Sequence, residues 1–248
     1  MSRSLAVVLA ALFFGACAEV KPERFLQDKP LYEHAMKLFQ NKDYTDSIPF
    51  FESLKNRFPQ SPYATESELK IADAYFAKDD FAEAEASYES FRSLHPTHPQ
   101  IPYVVSRIGM THFKRIPSGI DRDPLHTERA LAVFNELVTR WPDSPEAKQA
   151  APLAKKCERA LAQHEMYVAN FYIKQKQFEA ALVRLRPLSR NGEFPDLRAE
   201  AAYKLGYSYL KLKSKDDAIR TLEALAQDPA AGKYAREAQA LLPKARAL

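Results

Sequence analysis

Apolar and polar positions divide this chain into three stretches of different character. Leu5 to Phe14 is an unbroken apolar run behind a basic start at Arg3. Ala18 to Lys29 is polar, holds Pro22 and is followed by Pro30, and shows no apolar period. Beyond it, small, aromatic and proline positions recur at fixed offsets: Ala35, Tyr44, Phe51 and Pro59 are followed 37 residues later by Ala72, Phe81, Tyr88 and Pro96. Within each unit the offsets from the small residue are nine, sixteen and twenty-four. Such spacing predicts a pair of helices per unit, closed by a proline that cannot continue the second helix.

These are the intervals of a tetratricopeptide repeat, in which helix A approaches helix B so closely that only a small side chain fits at the crossing. Ala35, Ala72 and Ala84 meet that need, with Ser47 standing where Ala84 does. A third unit has Gly109, Ala130, Phe134 and Pro142, with nine extra residues between its helices. They fall in the insertion 114–127, whose Pro117-Ser118-Gly119 and Asp121-Arg122-Asp123-Pro124 are turn signals. Ala169, Phe178 and Ala181 mark a fourth unit, and Gly206 and Ala218 a fifth. Pro145 to Lys176 reads as one long helix in which Pro152 predicts a kink or break. Tyr234 to Leu248 reads as a capping helix. The expected fold is all-α: a superhelix of about five helix pairs plus the cap. Its parts are a signal at 1–16, a tether at 17–29, units one to three at 30–144, and the long linking helix, units four and five and the cap at 145–248.

Composition agrees, since the whole chain of 248 residues holds only six glycines. The formal charge of +4, reduced to +3 once Arg3 is removed, is too mild and too interleaved with acids for nucleic acid. The apolar run of ten residues spans about 15 Å as a helix, half of what a bilayer core requires. It reads as an export signal. Gly15-Ala16-Cys17 completes a lipoprotein signal, with Phe14 where leucine is usual, and predicts acylation of Cys17. Ala18 is not the aspartate that retains lipoproteins at an inner membrane, so the expected location is the outer membrane, facing the periplasm. Cys157, the second of two cysteines, then has no disulfide partner and reads as a packed core thiol.

Groove-facing positions of helix A give Tyr32, Met36 and Phe39, then Leu69 and Phe76, then Tyr103 and Phe113. The phenylalanines recur every 37 residues and either line a concave groove suited to aromatic peptides or turn into the interface between repeats. His95-Pro96-Thr97-His98-Pro99 lies in a turn without supporting carboxylates or cysteines, so no metal is expected. No cofactor is expected either, and no catalytic signature appears.

Several segments carry a family likeness: Phe58 to Ala64, Leu94 to Pro99 with Pro102-Tyr103-Val104, Asp121 to Pro124, Phe134, Leu137-Val138, Trp141 to Ser144, and Glu165 to Tyr172. In these the chain resembles the BamD family, the lipoprotein subunit of the outer-membrane β-barrel assembly machinery. The likeness runs from about Leu31 to Ala226; Trp141 stands where tyrosine is usual, the insertion is short, and the last repeat and cap match weakly. It implies a scaffold rather than an enzyme. Its C-terminal repeats would bind the last POTRA domain of the insertase BamA through Arg184 on helix B of the fourth repeat, with Arg186 beside it. Its N-terminal repeats would recognise unfolded outer-membrane proteins ending in an aromatic residue, and other lipoproteins of the complex would be further partners. The same repeats and anchor would also serve another periplasmic adaptor for cell-envelope proteins, or a chaperone without a barrel partner.

Overall fold

The computed structural model describes residues 20–248, and Cys17, Ala18 and the export signal lie outside them. Among the described residues are eleven α-helices, two short 3-10 turns and no strand. In chain order the helices are α1 (Asp28–Gln40), α2 (Tyr44–Arg57), α3 (Ala64–Ala77), α4 (Phe81–Leu94), α5 (Ile101–Lys114) and α6 (Leu125–Arg140). They continue with α7 (Pro145–Lys174), α8 (Phe178–Leu188), α9 (Pro195–Lys211), α10 (Lys215–Ala226) and α11 (Lys233–Arg246). The chain divides into two compact units at residue 74, inside α3.

Two local devices punctuate the helices. Turns leading from a first helix to its second reverse through a residue in the left-handed region: Lys42, Asp79, Lys176 and Lys213, with φ between 59° and 68°. The next residue in each then donates its N–H five residues back: Asp43 to Leu38, Asp80 to Tyr75, Gln177 to Tyr172 and Ser214 to Tyr209, at 2.9 to 3.0 Å. This bond satisfies a carbonyl that the helix end would leave orphaned. At the far end of α2, α4 and α6, proline does the work. Phe58, His95 and Trp141 precede Pro59, Pro96 and Pro142, and each takes φ near −130° with ψ near 56°. The proline ring disfavours helical backbone in the residue before it, so the helix stops there.

In the first unit α1 packs on α2, with Leu31, Ala35, Phe51 and Leu54 fully buried. The stretch expected to be a plain tether is partly fastened to this pair. Arg57 donates to the carbonyls of Pro22 at 3.0 Å and Phe25 at 2.8 Å, and the Phe25 ring packs against His34 and Phe50.

In the second unit successive helices from α4 to α11 pack each on the next, and α11 also returns to α9. Two glycines set the closest approaches. A Cβ on Gly109 would lie 2.5 Å from the Phe134 ring, and one on Gly206 would lie 2.6 Å from Leu222. α7 runs unbroken for 30 residues, started by Pro145 and by the Ser144 hydroxyl accepting from the Ala147 N–H at 3.0 Å. Pro152 was expected to kink or break it; the break does not occur, and the helix runs on to Lys174. The proline is exposed, so water can take the carbonyl its missing N–H leaves free. Its second half packs Ala162, Met166 and Ala169 against α8 and α9. α11 covers α10, with Ala238 and Ala245 fully buried beside Leu222 and Leu225. The segment between α5 and α6 is held to α7 by His164 Nδ1 donating to the Ile120 carbonyl at 2.8 Å. Cys157 is buried, and burial pushes its thiol up to about 11, which keeps it unreactive.

A buried polar group also sits at the end of α5. His112 is 4 % exposed, with Nε2 3.4 Å from Glu85 on α4, and Arg115, His126 and Arg129 nearby. Arg115 pairs with the same carboxylate. Burial lowers the His112 pKa, opposed by Glu85 and assisted by Arg115, His126 and Arg129; His126 is lowered chiefly by burial too.

Two outcomes are expected. Gly109→Val should lower stability by about 1 to 3 kcal/mol in thermal or denaturant melts, because the buried Phe134 ring has nowhere to move; Gly192→Ala, whose Cβ would meet nothing within 4 Å, should stay within about 0.5 kcal/mol. The histidines resist protonation when folded, so their contribution is complete above the unfolded value of about 6.5 and is lost as pH falls below it. Denaturant midpoints at about pH 7.5 and about pH 5.5 should therefore fall with pH, and His126→Gln should reduce that slope.

Candidate functional site

Tyr32, Met36 and Phe39 lie along α1 at intervals of four and three, so they share one helical face, and all three are half-buried. Tyr32 stacks on Tyr63 with ring centres 4.6 Å apart and meets the Phe51 edge at 6.3 Å. Burial first, then the hydrogen bond and charge of Glu66, raise the Tyr32 hydroxyl well above its usual range. The Phe39 ring packs edge-on against Tyr44 at 5.2 Å and Phe51 at 6.3 Å, with Lys70 Nζ 5.3 Å above it. Leu69 is different. At 1 % exposure it is part of the core and offers no open surface, because its place on α3 turns it inward.

The second unit repeats the motif. Phe76 packs on Phe81 at 5.3 Å, and the Arg107 guanidinium lies over the Phe76 ring at 3.5 Å while its Nε donates to the Tyr88 hydroxyl at 3.2 Å. Tyr103, also half-buried, stands 5.8 Å from the same guanidinium. Phe113 packs on Phe134 at 6.1 Å. Every phenylalanine of the recurring set is thus half-buried against an aromatic ring of the following helix. Phe39 belongs to the first unit, Phe76 and Phe113 to the second. Cations over two of the faces, Lys70 and Arg107, were missed by sequence reasoning; they stand next to or four residues after the positions chosen, and only packing reveals which ring they cover. A cation on an aromatic face contributes about 0.5 to 2 kcal/mol, and together they offer apolar contact and positive charge within one reach.

The arginines of α8 do not form one patch. Two positions apart on a helix are about 200° apart around its axis. Arg184, 43 % exposed, turns toward α7 and holds both carboxylate oxygens of Glu165 at 3.2 Å. Arg186 turns toward α9, where its Nε donates to the Tyr209 hydroxyl at 3.1 Å. An exposed ion pair is worth at most about 1 kcal/mol, so Arg184 can exchange Glu165 for another carboxylate at little cost. Large apolar side chains are exposed on the same two helices: Tyr167 and Phe171 on α7, Val183 on α8.

His95 and His98 flank the Phe91 ring at 4.8 and 5.3 Å and serve packing. Among the described residues no group of three or more histidine, cysteine or acidic side chains is gathered as for a metal ion. None of their helices is long and apolar enough to cross a membrane.

Comparison with known proteins places these features in a lineage. The model of the YfiO family, described as an outer membrane lipoprotein, matches residues 25–201, and a tetratricopeptide repeat model matches 200–229. The outer membrane protein assembly factor BamD of Neisseria gonorrhoeae is 32 % identical over 241 residues, covering 91 % of this chain and 90 % of that protein. The proteins of the same name from Vibrio cholerae and Caulobacter vibrioides are 28 % and 26 % identical. They cover 76 % and 88 % of this chain, and 81 % and 72 % of their own lengths. With a repeat architecture throughout and the family model spanning most of its length, the chain belongs to the YfiO family of outer membrane lipoproteins, whose similar members are the outer membrane protein assembly factors named BamD.

Proposed function

We propose that this outer-membrane assembly factor works as a non-enzymatic scaffold, anchored by acyl chains on Cys17 and facing the periplasm, where it brings an insertase and its unfolded clients together. The observation that carries this reading is the family match over residues 25–201, which includes both the aromatic faces and α8. Two acyl chains suffice for stable anchoring, since each buried methylene contributes about 0.8 kcal/mol.

The division of labour follows from what each surface offers. Arg184 is the contact for the POTRA domain of a BamA-like insertase. Its planar fork suits a partner carboxylate, and its present pairing with an exposed Glu165 is weak enough to be given up. Arg186, bound to Tyr209, lies off to the other side of α8 and contributes to the same partner only if that partner wraps the helix. Half-buried Tyr32, Met36 and Phe39, and Tyr103, Phe76 and Phe113, receive unfolded barrel proteins. A client segment ending in an aromatic residue would stack on such a face and place its terminal carboxylate by Lys70 or Arg107. Other lipoproteins of the complex complete the assembly.

Pull-down from membranes with a tagged copy tests the reading, the expected main catch being a β-barrel protein with POTRA domains. Arg184→Glu should reduce that catch at least tenfold while the melting temperature of the isolated protein stays nearly unchanged, because only an exposed pair is lost. Undiminished capture would contradict it.

A further inference from the structure

The grip of Arg186 on Tyr209 forms one wall of a cavity of about 350 Å³ between α8, α9 and α10, all within the second unit. The proposed assembly role uses none of the rest of this cavity. Its lining is unusually rich in guanidinium: Arg186 from the end of α8, Arg190 from the turn after it, Arg198 from α9 and Arg220 from α10. Against these four cations stand two carboxylates, Asp217 and Asp228.

The carboxylates are already spent on two of the arginines. Asp228 accepts from Arg198 at 2.7 Å and from the Ala230 N–H at 2.9 Å, while Asp217 pairs with Arg220 at 3.3 Å and accepts from the Ser214 hydroxyl at 2.9 Å. Arg186 has only the neutral Tyr209 hydroxyl, and the Arg190 side chain has no protein partner among the described residues. Two guanidinium groups without a carboxylate therefore converge, from the end of α8 and the turn after it, on a cavity whose remaining lining mixes apolar Ala199, Ala202, Leu205, Ala224 and Leu225 with the hydroxyls of Ser189, Tyr209 and Thr221. A lone exposed arginine is ordinary. Two of them lining one concave recess with an apolar part, the net charge of that lining at plus two, form a receptor for an anion that brings an apolar group with it.

We propose that this cavity binds an acidic segment of another polypeptide, taking one glutamate or aspartate carboxylate on Arg186 and Arg190 and a neighbouring aliphatic side chain on the apolar floor. The lining argues for a peptide over a phosphate. A dianion would sit against Asp217 and Asp228 and gain nothing from Leu205 and Leu225, whereas a peptide puts backbone N–H groups within reach of those carboxylates and fills the floor. Arg186 is held in place by Tyr209 and so loses little freedom on binding; Arg190 supplies the unpaired charge.

The test uses the full-length mature protein in detergent and two synthetic probes, N-acetyl-Leu-Glu-Leu-amide and its Gln counterpart, titrated by calorimetry or by amide NMR shifts. The Glu peptide should bind at least ten times more tightly than the Gln peptide and shift resonances of α8, α9 and α10. Arg190→Ala should weaken it at least fivefold with an unchanged melting temperature, and Arg190→Lys should recover only part of the loss, since an ammonium cannot form the two-pronged bond. Equal binding of the two peptides, binding unaffected by Arg190→Ala, or displacement of the peptide by inorganic phosphate at lower concentration than by free Glu peptide would each overturn the proposal. None of these readouts depends on the insertase, so a failure here leaves Arg184 and the assembly role untouched, and a failure there leaves this pocket standing.

Discussion

The closeness with which a first helix of a repeat must approach its second governs the rest of the molecule. At Gly109 and Gly206 the approach leaves no room for even one carbon: the Phe134 ring and the Leu222 branch already occupy the space. Ala35, Ala72 and Ala169, at equivalent positions, are all fully buried. Contact at that distance fixes which side chains interlock, because interiors packed to crystal density have few alternative arrangements. It also decides what is left over. The inward stripe of each helix is consumed by the crossing, so the side chains beyond it, half-buried rings and exposed arginines, are available for other molecules.

Much of this was legible in the residue pattern, and for an identifiable reason. Small, aromatic and proline positions have separate physical duties in the repeat, so their offsets survive as a countable period, and the helix ends at Phe58, His95 and Trp141 follow from the proline behind each. Other features left no such trace. Lys42, Lys176 and Lys213 take a backbone conformation that glycine favours, and nothing about a lysine announces it; the bond made by the following residue holds them there. Pro152 signalled a kink or a break, and the break did not come, since a proline whose orphaned carbonyl can face water costs a helix less than one in a core. Within the tether expected at 17–29, Arg57 holds the carbonyls of Pro22 and Phe25, a contact across more than thirty residues that no local pattern announces.

The candidate site was half legible. Spacing located the rings of Tyr32, Phe39, Phe76, Tyr103 and Phe113 but could not say that each phenylalanine would lean on an aromatic of the next helix, or that Lys70 and Arg107 would cover two of them. It placed Leu69 with them although the side chain is buried. Arg184 and Arg186, neighbours in sequence, serve opposite sides of α8, one lightly bound to a carboxylate and the other to a phenol.

The crossing constraint itself is tested most directly at Gly206 and Leu222, by measuring Gly206→Ala in two backgrounds. In the natural protein the new methyl has no space, so the substitution should destabilise. After Leu222→Ala has emptied that space, the same substitution should stabilise, by up to about 1 kcal/mol, as alanine is the better helix former. A reversal of sign between the two denaturation curves is the predicted result, and an effect of the same sign and size in both would contradict the account.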